Sequence, residues 1–149
     1  VLLCARCMHG AMDILKPLLS EADSGGAGIY VIGTVEGDLH DIGKNLVSMM
    51  LQGAGFEVID LGTNSKPQQF VDAVSEHKPV ILGLSALLTT TMPKMEETIN
   101  ALKEAGIRDQ VKIMAGGAPV TQAFVDEIGA DAYGANAASA TEKAKELTA

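Results

Sequence analysis

Ile29-Tyr30-Val31-Ile32-Gly33, followed by Thr34-Val35-Glu36-Gly37-Asp38-Leu39-His40-Asp41-Ile42-Gly43, sets an apolar run, a glycine-bracketed polar loop and a helix start side by side. The run Ile29 to Gly33 reads as a short strand. Gly43 opens a helix through Val47 and Leu51 to the stop at Gly53-Ala54-Gly55. Asp38 stands two residues before His40, so in extended backbone both side chains project to the same side. A histidine that binds a metal through one ring nitrogen usually gives its other N–H to a carboxylate or carbonyl, and this spacing supplies such a partner.

The same unit recurs downstream. Phe56 to Leu61 is the next strand, Pro67 starts a helix ending near His77, and Val80 to Leu84 is a continuous apolar strand. Pro93 sits where a first helical turn tolerates it, before a helix closing at Gly106. Val111 to Met114, a helix from Thr121 to Ile128, a short strand at Ala132-Tyr133 and a last helix from Ala137 complete the series. Strands that are apolar throughout, alternating with amphipathic helices, imply a parallel sheet covered on both faces. Five such strands match the flavodoxin-like, doubly wound α/β layout, where ligands bind at the carboxyl ends of strands beside the switch point. The functional loops are then Gly33 to Gly43, Ser85 to Met92, Gly116 to Val120 and Gly134 to Ala137. The last three are rich in small residues and leave a slot for a flat, elongated group.

Composition bounds the possibilities. The 149 residues, 47% hydrophobic and 20% charged, suit one domain with a full core. Aromatics make up 3% and Trp is absent, so Ile, Val, Leu, Met and Ala must build that core. A net charge of −8 argues against a nucleic-acid partner, which needs clustered Lys and Arg. No apolar run approaches the roughly 20 residues that span a bilayer, and Val1-Leu2-Leu3 is too short for a signal-peptide core, so the expected location is cytoplasmic. Leu and Met recur at helical spacing from Cys4 to Glu21. Cys4 and Cys7 form a single Cys-x-x-Cys with no second pair to complete a zinc site, and read as two thiols on a partly buried helix.

Several ligands are excluded by the loop residues. Gly33-Thr34-Val35-Glu36-Gly37 lacks dinucleotide glycine spacing, and Gly43-Lys44 is followed by Asn45 rather than the Ser or Thr of a phosphate loop. A phosphoacceptor Asp would be needed where Ser85 ends the third strand. A divalent ion held by Asp38, His40 and Asp41 stays open on ligand chemistry. So does the plainer reading that His40 hydrogen-bonds within its loop. Lys44 and Asn45 read as solvated first-turn residues.

Three motifs on three of these loops, Asp38-Leu39-His40-Asp41-Ile42-Gly43, Ser85-Ala86-Leu87-Leu88-Thr89 and Gly116-Gly117-Ala118, closely resemble the cobalamin-binding domain shared by methionine synthase and the corrinoid proteins of methyltransferase systems. Thr89-Thr90-Thr91-Met92-Pro93 and Gly116-Gly117-Ala118-Pro119-Val120-Thr121 look most like the stand-alone corrinoid proteins. The resemblance covers nearly everything from Met8 onward. It implies a base-off, His-on cobalamin, as methylcobalamin, hydroxocobalamin or a related corrinoid, with His40 as lower axial ligand to cobalt. Asp38 then accepts the second ring N–H of His40, and the Thr91 hydroxyl supports Asp38. Gly83, Ser85, Gly116 and Gly117 make room for the detached nucleotide tail, the hydroxyls of Ser85 and Thr89 hydrogen-bond it, and Ala118 lines the same slot. Gly37, Leu39, Asp41, Ile42, Gly43 and Leu87 complete the implied cofactor-binding set.

The implied function is methyl carriage between methyltransferases in a methyl-Co(III)/Co(I) cycle, with barrel-type methyltransferases and a reductive activator of the corrinoid as partners. Residues 1–24 would be the last helix of an N-terminal helical cap plus linker, residues 25–149 the cobalamin-binding domain, and the chain a fragment or truncated form. Two alternatives share the module. One is a cobalamin-dependent sensor or regulator, which needs an output domain; the other is an adenosylcobalamin-dependent mutase subunit.

Overall fold

The computed structural model describes residues 26–149 together with Cys7 and Gly10. Strands β1 (Ile29–Thr34), β2 (Glu57–Asp60), β3 (Ile81–Ser85), β4 (Lys112–Gly116) and β5 (Ala132–Gly134) alternate with helices α1 (Ile42–Gly53), α2 (Pro67–His77), α3 (Pro93–Glu104), α4 (Gln122–Ile128) and α5 (Ala137–Thr148). All strand pairs are parallel, in the order β2-β1-β3-β4-β5. This is the flavodoxin-like layout expected from the strand and helix alternation. The largest boundary difference in the sheet is at β4, which continues to Gly116 because Ser85 still pairs with Gly116 across the ladder. The helical stretch read at Cys4 to Glu21 and the division of the chain after residue 24 lie outside the described residues, as does Cys4; Cys7 is exposed.

The local signals explain the helix ends. Pro67 and Pro93 occupy first-turn positions. Thr121 stands one residue ahead of α4 and its hydroxyl accepts the Phe124 N–H at 3.3 Å, while the Asn136 side chain accepts the Ser139 N–H at 2.9 Å to start α5. The strands send alternate residues to opposite faces. Val31, Leu82, Leu84, Ile113 and Ala115 join a core under α2, α3 and α4, with Phe70, Met95, Ile99 and Leu102 fully buried among them. Tyr30, Ile32, Ile81 and Met114 face α1 and α5, where Leu51, Ala140 and Ala144 meet them. With both faces covered, the strands have no polar side to display, and each buried Leu or Ile contributes about 1.5–3 kcal/mol.

Glycines in the central strands are filled from across the sheet. A Cβ on Gly33 would lie 2.8 Å from the Phe70 ring, and one on Gly83 would lie 2.7 Å from the Tyr30 ring. At the carboxyl edge the contacts are between backbones. A Cβ on Gly116 would meet the Gly134 carbonyl oxygen at 2.7 Å, and one on Gly117, whose φ is +135°, would stand 1.8 Å from the Ala86 carbonyl oxygen. These glycines let the connections after β3, β4 and β5 close on one another.

Strands β1 and β3 are neighbours, but the chain leaves β1 for α1 on one face and β3 for α3 on the other. The connections therefore part at their carboxyl ends and open a crevice. Gly117→Ala is expected to cost more than about 3 kcal/mol, since backbone must move and φ is left-handed. Gly53→Ala, which meets nothing within 4 Å at the end of α1, should be neutral or stabilise by up to about 1 kcal/mol. Urea unfolding of the two variants beside the parent checks both.

Candidate functional site

Asp38 is fully buried at the start of the crevice. One carboxylate oxygen accepts the His40 backbone N–H at 3.1 Å and lies 2.7 Å from His40 Nδ1. The other accepts the Leu87 N–H at 2.8 Å, the Leu88 N–H at 3.3 Å and the Thr91 hydroxyl at 2.7 Å. The structure thus brings Asp38, His40 and Thr91 together across the two loops that part at the switch point. Burial alone would raise the Asp38 pKa. The Leu87 N–H, the Thr91 hydroxyl and the ring and backbone N–H of His40 outweigh it and hold the carboxyl well below the usual carboxylate range.

Local backbone geometry mounts the pair. Gly37 turns with φ +81° and donates its N–H to Asn64 Oδ1 at 2.8 Å, so it shapes the turn and does not line the cavity. The buried Thr34 hydroxyl donates to the His40 carbonyl at 2.9 Å, and the Asn64 N–H donates to the Asp38 carbonyl at 2.9 Å. The loop is held from both ends, and the imidazole leaves it half exposed, at 50%. With Nδ1 paired to Asp38, Nε2 is the ring nitrogen left to bind a ligand.

Behind His40 a cavity of 620 Å³ runs between the sheet and helices α1 and α5. Leu39, His40, Asp41, Ile42, Gly43, Gly83, Ser85, Leu87, Gly116, Gly117 and Ala118 line it. Thr89 does not: it is exposed and outside the lining, because the turn after Leu88 leads the chain away from the sheet toward Thr91 and its bond to Asp38. At Gly83, which does line the cavity, the Tyr30 ring stands where a Cβ would lie. Lys44 is a further correction. Its side chain is 2% exposed, lines the cavity and donates to Asp60 Oδ2 and, at 2.8 Å, to Asn45 Oδ1. Asp60 ends β2 beside the first turn of α1, so the ammonium has a carboxylate within the fold and does not reach for water.

Tyr30, Met114, Asn136 and Ala140 are also among the walls; Asn136 lies in the Gly134 to Ala137 loop already expected to be functional, whereas Tyr30 was not singled out from sequence. A signal existed for Tyr30, because a glycine in the middle of an apolar strand marks close approach by another group. The large exposed hydrophobics are also placed by the site. Among the described residues, apart from Val80, they are Leu39, Ile42, Leu46, Leu87 and Leu88, on or next to the two segments that the Asp38 carboxylate clasps. Leu39 and Ile42 are each 73% exposed, an apolar collar round the imidazole that invites a cover.

This donor set suits a metal already held in a macrocycle. Among the described residues no three His, Cys, Asp or Glu side chains gather to hold a bare ion. Asp38 spends its lone pairs on five donors, so the Asp38, His40, Asp41 trio does not assemble. One nitrogen ligand in an apolar collar, with a cavity behind it, fits a planar complex that needs only an axial base and somewhere to lodge an appended group.

Residues 28–142 match the B12 binding domain family. Dimethylamine corrinoid protein 3 of Methanosarcina mazei is 51% identical over 150 residues, covering 100% of this chain and 90% of that relative. Among solved structures, the monomethylamine corrinoid protein of Methanosarcina barkeri has a TM-score of 0.79 at 40% identity, over 99% of this chain and 70% of that one. The methanol:cobalamin methyltransferase complex MtaBC of Methanosarcina barkeri gives 0.78 at 36% identity, over 87% of this chain and 50% of that one.

Because folding depresses the Asp38 pKa, the unfolded chain binds the proton first as pH falls. The stabilisation is whole above the ordinary carboxylate pKa and is lost as pH drops below it. Asp38→Asn in the cofactor-free protein should therefore be less stable at pH 7 by about 1–3 kcal/mol, and the gap should close as pH falls from about 5 toward 2. Urea midpoints at several pH values test this; a constant gap contradicts it.

Proposed function

The chain belongs to the B12 binding domain family, and from that membership we propose that it is a corrinoid protein that carries a methyl group on cobalt between methyltransferase partners. The observation that carries this reading is the half-exposed imidazole of His40, tethered through Nδ1 to buried Asp38 with Nε2 free at the mouth of the cavity. When bound, the corrinoid supplies a cobalt centre able to accept and release a methyl group.

The chain's own residues would supply the base that holds the metal. His40 would offer Nε2 to the cobalt of a bound corrinoid, with Asp38 fixing the ring through Nδ1. Buried Asp38 would hold the ring in the same place whether or not Nε2 were bound. Thr91 keeps the Asp38 carboxylate aimed at the ring. Ser85, with its hydroxyl, and Gly116, Gly117 and Ala118 would hold the nucleotide tail, while Leu39, Ile42 and Leu87 would shield the bound corrinoid from water.

The partners are barrel-shaped methyltransferases, together with a reductive activator of the corrinoid. The name of the similar MtaBC structure, a methanol:cobalamin methyltransferase complex, supports a methyltransferase as one partner. A net charge of −8 suits docking to proteins. Residues 1–24 we assign to the end of a helical cap plus linker, and residues 25–149 to the cobalamin-binding domain. No helix among the described residues is long and apolar enough to cross a membrane, in keeping with our placement in the cytoplasm.

Titration with hydroxocobalamin, followed by absorption, tests the ligand assignment. The parent chain should give a base-off, His-on spectrum that His40→Ala loses. Asp38→Ala and Thr91→Ala should bind about 10–100-fold more weakly. An unchanged His40→Ala spectrum would overturn the assignment.

A further inference from the structure

We propose that Tyr30 is a specificity-determining residue that limits how deeply the base of a corrinoid's nucleotide tail enters the cavity, so that bases with no substituents on their far edge are preferred. This rests on the corrinoid reading above and concerns the cavity floor alone.

The walls change character along the strands. At the carboxyl edge Ser85, Gly116 and Gly134 lie in register on β3, β4 and β5, a row of small residues that leaves the slot open. Two residues earlier, about 7 Å down the strands, the row is Gly83 and Met114. There the slot is barred. The Tyr30 ring reaches from β1 over Gly83, where a Cβ would lie 2.7 Å from Cε1 and 2.8 Å from the hydroxyl oxygen, and its hydroxyl donates to Met114 Sδ at 3.4 Å. The phenol thus spans three strands as a crossbar.

The bar is fixed in place. Tyr30 is 1% exposed, and its ring meets Phe56 edge-on, with centroids 6.1 Å apart and planes at 83°. Ile32, Ile81 and Ala140 share the same cluster. Close packing on that side resists displacement of the ring away from the cavity. Burial raises the phenol's pKa well above its ordinary value, so the floor is uncharged. A planar base entering from the carboxyl edge meets small residues first and this ring last. Methyl groups on its far edge would then have to displace the bar.

The test compares two corrinoids that differ only at that edge, one carrying unsubstituted benzimidazole and one 5,6-dimethylbenzimidazole. Dissociation constants are read from the His-on absorption change. The parent should favour the unsubstituted form by about tenfold or more. Tyr30→Phe keeps the ring and should keep the preference. Tyr30→Val removes the bar and should bring the ratio to about one, and Met114→Ala, which opens the same floor from β4, should move it in the same direction. A merely structural role would weaken both corrinoids alike and leave the ratio unchanged. Equal affinities in the parent, a ratio that survives both Tyr30→Val and Met114→Ala, or its loss in Tyr30→Phe would overturn the proposal while the His-on spectra leave the corrinoid reading standing. If neither corrinoid gives a His40-dependent spectrum, the corrinoid reading falls and this inference with it.

Discussion

The Asp38 carboxylate is the constraint on which the site depends. It is fully buried, and an ionised carboxylate is costly to bury unless its lone pairs are met. Here they are met from two directions. His40 supplies two contacts from the loop after β1, and Leu87, Leu88 and Thr91 supply three from the loop after β3. Those loops lead to helices on opposite faces of the sheet, and the carboxylate joins them beside the Val35 N–H to Ser85 carbonyl bond at 3.0 Å. The imidazole is oriented as a by-product of satisfying a buried charge.

The same arrangement explains why the fold and the Asp38–His40 pair were legible in the sequence. Apolar strands alternating with amphipathic helices specify a doubly wound sheet, and strand order then places the loops at Asp38 and Ser85 side by side. Asp38 and His40 are separated by one residue, so their proximity is local. Thr91 reached the same cluster through family resemblance, and the structure puts its hydroxyl on the expected carboxylate. What could not be read were contacts that depend on where a side chain crosses between elements. Lys44 looks like a solvated first-turn residue until β2 brings Asp60 beside it. Thr89 looks equivalent to Ser85 until the turn after Leu88 carries it outward. Gly83 looks like empty space until the ring from β1 fills it.

The two faces of the sheet divide stability from binding. Under α2, α3 and α4 the core is filled by large side chains, with Phe70 packed into the space left by Gly33. Under α1 and α5 the lower half is equally filled by Tyr30, Phe56 and Leu51, but the upper half is lined by Gly, Ala and Ser around 620 Å³ of cavity. Packing of one face can therefore maintain the fold while the other stays partly open. The exposed Leu39 and Ile42 extend that incompleteness to the rim. A ligand that binds only the folded chain stabilises it by mass action, in proportion to the logarithm of its concentration over its dissociation constant. On this division a corrinoid lodged there would complete the α1 and α5 face as a missing core layer would. The Asp38 clasp would confine that completion to a single orientation of His40.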